Sequence, residues 1–322
     1  VGSEGVEIEI SALIPVEVNL GGHRRVAPLD ADVLVFQRPA KASAVALIPE
    51  YQAKGKAVVV DVDDDLHSLH PRHGAYQHFH PAHSSEVNWD HLKRACDMAD
   101  LVTCTTPALA ERYGAHGRVE ILPNCVPASM LSQPRESDGR TLGWFGGIVV
   151  SHVNDLSAPG GAVAEVLRSE GWRFMSSCDG PNVRKALGLD EDPIDLDGPS
   201  PAEFECAMSQ LDVGIVPLAL TPFNDAKSTL KGLQYAAAGV PFVASATAPY
   251  QQLADWGLGD IATNRVRSWR SALLRLMRDP GLREHVSASG RAWVAANATY
   301  EVTGHLWRAA WERALTIKRA RG

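Results

Sequence analysis

The sequence predicts an α/β protein of two halves, each built on a parallel sheet with helices on both faces. Three observations carry this. Short apolar strands alternate with helix-length segments along the chain. A polar stretch, Gln133 to Arg140 (QPRESDGR), divides that alternation into two runs. Polar or glycine-rich clusters follow the strands of both halves, at the ends where open parallel sheets bind ligands.

In the first half, Val6 to Ile10 alternates and carries acids, so it reads as a strand rather than a leader or membrane span. Ala31 to Pro39 is a nearly all-apolar strand ended by proline, and Ala42 to Lys54 is a helix. Lys56 to Val60 is a β-branched strand running into DVDDD. Trp89 to Ala99 has helix spacing, and Leu101 to Thr106 is a buried strand. Pro107 opens a helix over 108–113, where a first-turn proline fits. Arg118 to Leu122 is the last strand of this half.

The second half restarts with strand Thr141 to Phe145, a glycine loop, helix Gly161 to Ser169 and strand Trp172 to Ser176. Helix Pro181 to Leu187, a short strand at Ile194 to Leu196, helix Pro201 to Gln210 and strand Asp212 to Leu218 follow. Thr221 to Ser245 (TPFNDAKSTLKGLQYAAAGVPFVAS) reads as a short helix and then a new strand, PFVAS. Helices over 268–278, 282–297 and 300–318 complete the chain.

A chain of 322 residues suits two domains, and 45% hydrophobic with 21% charged residues is ordinary for a globular protein. A net charge of -7 argues against broad nucleic-acid binding. Five cysteines with no CxxC pair argue against structural zinc and for a reducing, cytoplasmic compartment. No long apolar span or transmembrane segment is expected.

Lys227, Lys231 and Gln234 are spaced by four and three, so on a helix they share a face. The helix start near Asn224 to Ser228 adds its own preference for anions, which makes the segment a candidate phosphate site. Gly146 and Gly147, directly after a strand, let a phosphate or sugar approach backbone amides. His152, Asn154 and Asp155 follow in the same loop, within reach of a sugar. Asp179-Gly180, after another strand, is a candidate wall for a base.

Asp61 to Asp65 place four carboxylates after a strand. Asp63 and Asp64 read as acceptor-binding or cleft-rim groups rather than a metal site, because a hard cation needs further oxygen ligands. Seven of twelve histidines lie between His67 and His91, with Tyr76, Phe79 and Trp89 interleaved. Their spacing matches no zinc finger, and His67 is the one expected to meet substrate.

TCTTPALAERY, VEILPNCVP, LGWFGGIVVSHVNDL and LDVGIVPLALTPFNDAKSTLKGLQYAAAGVPFVAS, in this order and spacing, resemble the GT-B-fold retaining glycosyltransferases. The likeness is to their family 4, group 1-like members of bacteria and phages, and is strongest from about Leu101 to Tyr250. It implies two Rossmann-like domains facing across a cleft. An acceptor domain would cover 1–135 and a nucleotide-sugar donor domain 136–298. A helix over 299–322 would return to the first domain.

The implied activity (EC 2.4 class) is transfer of a sugar from a UDP- or GDP-linked donor to a hydroxyl acceptor. Retention is implied, with neither metal nor other cofactor. The acceptor stays open among glycan, protein, lipid, small molecule and modified nucleic acid, and so does the oligomeric state. The resemblance puts Gly146 and Gly147 at the diphosphate and sugar, and Lys227 with Lys231 on the diphosphate. Lys227, His67, Asp63 and Asp64 are the candidate catalytic groups. Ser228, Asn224, His152, Asp155, Asp179 and Gln234 join the candidate donor site. Where the family carries a pair of acids, this chain has Ala226 and Gln234. Two other readings follow: a non-catalytic module binding sugar nucleotides or glycans, and a nucleotide-sugar epimerase or phosphorylase of the same fold.

Overall fold

The computed structural model describes residues 16–18, 24–26, 31–80, 83, 88–147 and 151–321. The strand expected at Val6 to Ile10 lies outside them. The first domain has a four-stranded parallel sheet: β3 (Val33–Gln37), β4 (Ala57–Val62), β5 (Leu101–Cys104) and β6 (Val119–Ile121), side by side in chain order. β1 (Val16–Val18) and β2 (Arg24–Val26) form a separate antiparallel pair.

The β-branched run of β4 is explained by burial on both faces. Val58, Val60 and Val62 pack with Ile48 and Tyr51 of α1 (Ala42–Ala53) and Leu92 of α3 (Asn88–Met98). Ala57 and Val59 face the opposite way, against Ala310 and Ala314 of α14 (Tyr300–Arg321). The C-terminal helix thus supplies the second layer of the first domain. It is pinned there by Arg321 on Asp100 at 3.2 Å and by an Arg313–Glu120 ion pair. The two strands of chain that join the domains run side by side, with Val126 N–H donating to Ala298 O at 2.9 Å and Tyr300 N–H to Val126 O at 3.1 Å. Between β4 and α3 lies a short helix, α2 (Tyr76–Phe79), and β5 is followed by α4 (Pro107–Tyr113).

The second domain has six parallel strands: β7 (Thr141–Trp144), β8 (Arg173–Ser176), β9 (Ile194–Asp195), β10 (Val213–Val216), β11 (Phe242–Ser245) and β12 (Asp260–Ala262). Their spatial order is β9-β8-β7-β10-β11-β12. The first strand is central and the order reverses between β7 and β10, the doubly wound pattern with its crevice at the reversal. One face carries α6 (Ala162–Glu170) and α12 (Val266–Arg278), closed by the buried Trp269. The other carries α8 (Pro201–Met208), α10 (Leu230–Ala238) and α13 (Pro280–Asn297) around Phe145 and Tyr235. α5 (Val153–Leu156) and α7 (Gly180–Leu187) follow β7 and β8. α11 (Ala248–Asp255) and β12 come from a stretch where no element was expected.

One expectation is corrected. The segment from Thr221 is not a single helix: α9 (Pro222–Asp225) ends after one turn, and α10 begins only at Leu230. Lys227 lies in the connection between them, so it does not share a helix face with Lys231 and Gln234. The break follows from packing. Phe223 and Ala226 are buried in the first domain's core, and Ala226 O accepts from the buried Thr106 hydroxyl at 2.8 Å. α9 therefore belongs to the domain contact, while α10 turns back onto its own sheet.

Candidate functional site

A cavity of about 240 Å³ opens between the domains at the β7/β10 reversal. Trp144, Gly146 and Gly147 reach it from the end of β7, and Val216, Pro217 and Leu218 from the end of β10. Lys227, Ser228, Lys231 and Gln234 line the same side. Asp63 and Asp64 close it from the first domain, with Asn124 from the connection. The described lining therefore has its lysines on one wall and its carboxylates on the other.

The glycine loop is held by Ser177, whose hydroxyl accepts from Gly146 N–H at 3.0 Å and donates to Gly146 O at 2.8 Å. The two glycines do different work. A Cβ at Gly146 would collide with the Trp144 indole, so that position is set by packing. A Cβ at Gly147 would meet nothing within 4 Å, which leaves its backbone open to a ligand. Cys178 Sγ lies 3.1 Å from Gly147 O, and burial raises its thiol pKa.

Lys231 donates to Gln234 Oε1 at 3.1 Å and sits 4.8 Å from the Phe204 ring centre. Burial pulls its ammonium down to about 8, because the charged form has lost water. Lys227 rests over Phe223 at 4.6 Å, and its Nζ lies 3.8 Å from Asp64 Oδ1 across the cleft. Asp64 also faces Arg38 at 3.6 Å, and Asp63 pairs with Arg38 Nε at 3.2 Å. Arg38 itself has a left-handed backbone, φ 45°. Burial and the neighbouring Asp64 push the Asp63 carboxyl above the ordinary range, while Arg38 and Lys227 pull it back. The rest of the aspartate run is structural: Asp61 accepts from Thr103 at 2.6 Å, and Asp65 pairs with Arg112 at 2.9 Å.

Of the sequence-predicted residues, the cavity brings together Asp63, Asp64, Gly146, Gly147, His152, Lys227, Ser228, Lys231 and Gln234. It does not include four others. His67 packs tilted against Trp89, with ring centres 4.3 Å apart, away from the cavity lining. Asp155 and Asn224 are 6% and 2% exposed and bond each other at 2.7 Å, joining α5 to α9 beside a second, much smaller cavity that His70 and His73 also line. Asp179 holds Asn182 at 2.9 Å and lies off the lining. Sequence reasoning missed Arg38, Trp144 and Tyr250, and placed Asn124 only among the polar clusters at the strand ends. Asn124 donates to Ser228 at 2.7 Å across the domains, a contact with no local sequence signal. Trp144 stood in plain view before the glycines and was read only as strand.

Among the described residues no group of three or more His, Cys, Asp or Glu side chains can hold a metal ion. No described helix is long and apolar enough to cross a membrane.

No protein-family model and no curated protein matches the sequence. Solved structures do match. Anabaena HepE, solved with UDP and glucose, aligns over 86% of this chain and 77% of its own at 15% identity, with TM-score 0.64. Sucrose-phosphate synthase of Thermosynechococcus elongatus aligns over 87% and 74% at 16% identity, with TM-score 0.63. S. aureus TarM, solved with UDP and α-GlcNAc-glycerol, aligns over 87% of this chain at 11% identity, with TM-score 0.61. This chain spans only 55% of TarM. These likenesses, with two Rossmann-like domains meeting at a switch-point cleft, establish that the chain has the GT-B fold.

Proposed function

We propose that the chain is a glycosyltransferase that moves a sugar from a nucleotide-diphosphate donor to a hydroxyl acceptor. The observation that carries this is the polarised cavity at the sheet reversal. One wall offers the Gly147 backbone, Lys227, Ser228 and Lys231, and the other offers Asp63 and Asp64. A leaving diphosphate gathers negative charge as the sugar–oxygen bond breaks, and preorganised cations on the first wall stabilise it. Asp63 and Asp64 are the proposed acceptor-side groups, and burial raises the Asp63 carboxyl above the ordinary range. Retention of configuration and independence of metal belong to this proposal, on the strength of the sequence resemblance. UDP or GDP sugars are the proposed donors, since HepE and TarM were solved with UDP.

The test incubates the protein with UDP- and GDP-sugars and a panel of hydroxyl acceptors, with and without a chelator, and identifies products by mass. A glycosylated acceptor formed equally in chelator is the expected result. Loss of activity in chelator, restored by magnesium or manganese, would overturn metal independence.

One observation favours a non-catalytic binding module. Ala226, where the resemblance implies an acid, is 4% exposed and packed into the first domain's core. Its methyl is not part of the cavity lining. If nucleotide sugars bind but neither transfer nor hydrolysis occurs with any acceptor, that second reading replaces the first.

A further inference from the structure

We propose that α9 is a clasp that holds the two domains together before any ligand binds, with Phe223 and Ala226 seated in the first domain and Asn224 in the second. Phe223 and Ala226 are each 4% exposed and pack among the first domain's buried residues, not against their own sheet. His73 meets the Phe223 ring edge-on with centres 5.2 Å apart, and the 3-10 turn Leu66–Ser68 lies against the helix. The buried Thr106 hydroxyl donates to Ala226 O at 2.8 Å. Asn224 is held from the other side: its Nδ2 donates to Asp155 Oδ1 at 2.7 Å and to Ala219 O at 2.8 Å, both in the second domain.

Four residues do not make a stable helix alone, because nucleation costs more than a single turn returns. The backbone bonds of α9, from Asp225 N–H to Thr221 O at 3.0 Å and from Ala226 N–H to Pro222 O at 3.2 Å, therefore persist only while both domains grip its side chains.

Opening the cleft at this point would carry the Phe223 ring from an apolar core into water, so the closed arrangement is favoured without help from a ligand. Lys227 directly follows the clasp, and the same contacts fix its backbone beside the cavity in advance. The clasp itself does not depend on what the cavity binds.

Hydrogen exchange of the full chain without nucleotide, read by mass on peptides covering 219–229, tests this. In wild type these amides should exchange roughly 10- to 100-fold more slowly than an unstructured peptide of the same sequence, the protection that burying one phenyl ring supplies. Phe223→Ala should remove that protection, and so should Ala226→Glu, which would bury an unpaired carboxylate. Peptides covering β4 and β10 should stay protected in any variant that folds. Small-angle scattering of the same samples should give both variants a larger radius of gyration than wild type. Unprotected exchange over 219–229 in wild type, protection that arises only after UDP is added, or variants as protected and as compact as wild type would overturn the clasp. The wild-type reading decides by itself where neither variant folds. Failure of UDP and GDP to bind would overturn the donor-site reading and leave the clasp standing, so the two fail separately.

Discussion

The two walls of the cleft are built by different means. The second domain's wall is a product of topology: strand order reverses between β7 and β10, and the crevice this opens is where Gly146, Gly147 and Leu218 meet. The first domain's described sheet runs β3-β4-β5-β6 with no reversal. Its contribution is a single loop after β4, held by ion pairs from Arg38 rather than by the sheet. A wall set by topology keeps its shape when one side chain changes, so its side chains can be tested for binding alone, whereas a wall set by charge pairs depends on each partner for its shape as well.

The largest expected effect lies on the donor wall. Lys231→Met should weaken nucleotide-diphosphate binding by roughly 10- to 100-fold, the worth of a charge-assisted contact. Its effect on stability has the opposite sign. The folded-state pKa of Lys231 is lowered to about 8, so the folded state binds fewer protons than the unfolded one above that pH. The lysine therefore weakens the fold at neutral pH, and its cost shrinks as pH rises from about 8 toward its ordinary value. Thermal melting of Lys231→Met at neutral pH should show no loss of Tm, and donor affinity of wild type should fall as pH rises through about 8. A Tm drop in the variant would mean the ammonium is structural.

The glycine pair separates packing from binding within that wall. Gly146→Ala drives a methyl into Trp144 and should destabilise by about 1–3 kcal/mol, seen as a lower urea midpoint. Gly147→Ala should leave the midpoint unchanged and weaken donor binding, because its Cβ points into open space beside the cavity.

On the opposite wall, Asp64→Asn frees Lys227 from its ion pair at 3.8 Å. Donor affinity should rise by about two- to fivefold, in line with a partly exposed pair worth under about 1 kcal/mol, while transfer rate falls. Thr106→Val removes both the hydroxyl bond to Ala226 O and the cap that accepts from Leu109 N–H, and should cost about 1–3 kcal/mol in the urea midpoint without touching the cavity lining.

This contrast also decides what could be read from the sequence. Periodicity exposed the alternation, and strands such as β4 and β5 were legible because both faces are buried. Gly146-Gly147 and Lys231-Gln234 were legible because their geometry is local. The break between α9 and α10 was not, since it comes from Phe223 and Ala226 packing into the other domain, more than a hundred residues away in sequence from Thr106. His67 was misread for a related reason: closeness to the aspartates in sequence said nothing of Trp89. Asp155 and Asn224 looked like ligand contacts because polar loop residues often are. Their pairing with each other is a tertiary fact.

The central claim is that Lys227 and its wall hold a nucleotide diphosphate. Calorimetric titration of UDP and GDP into wild type and Lys227→Ala tests it most directly. The account predicts saturable binding to wild type and an affinity about 10- to 100-fold weaker in the variant. Binding unchanged in Lys227→Ala, or absent from wild type, would contradict it.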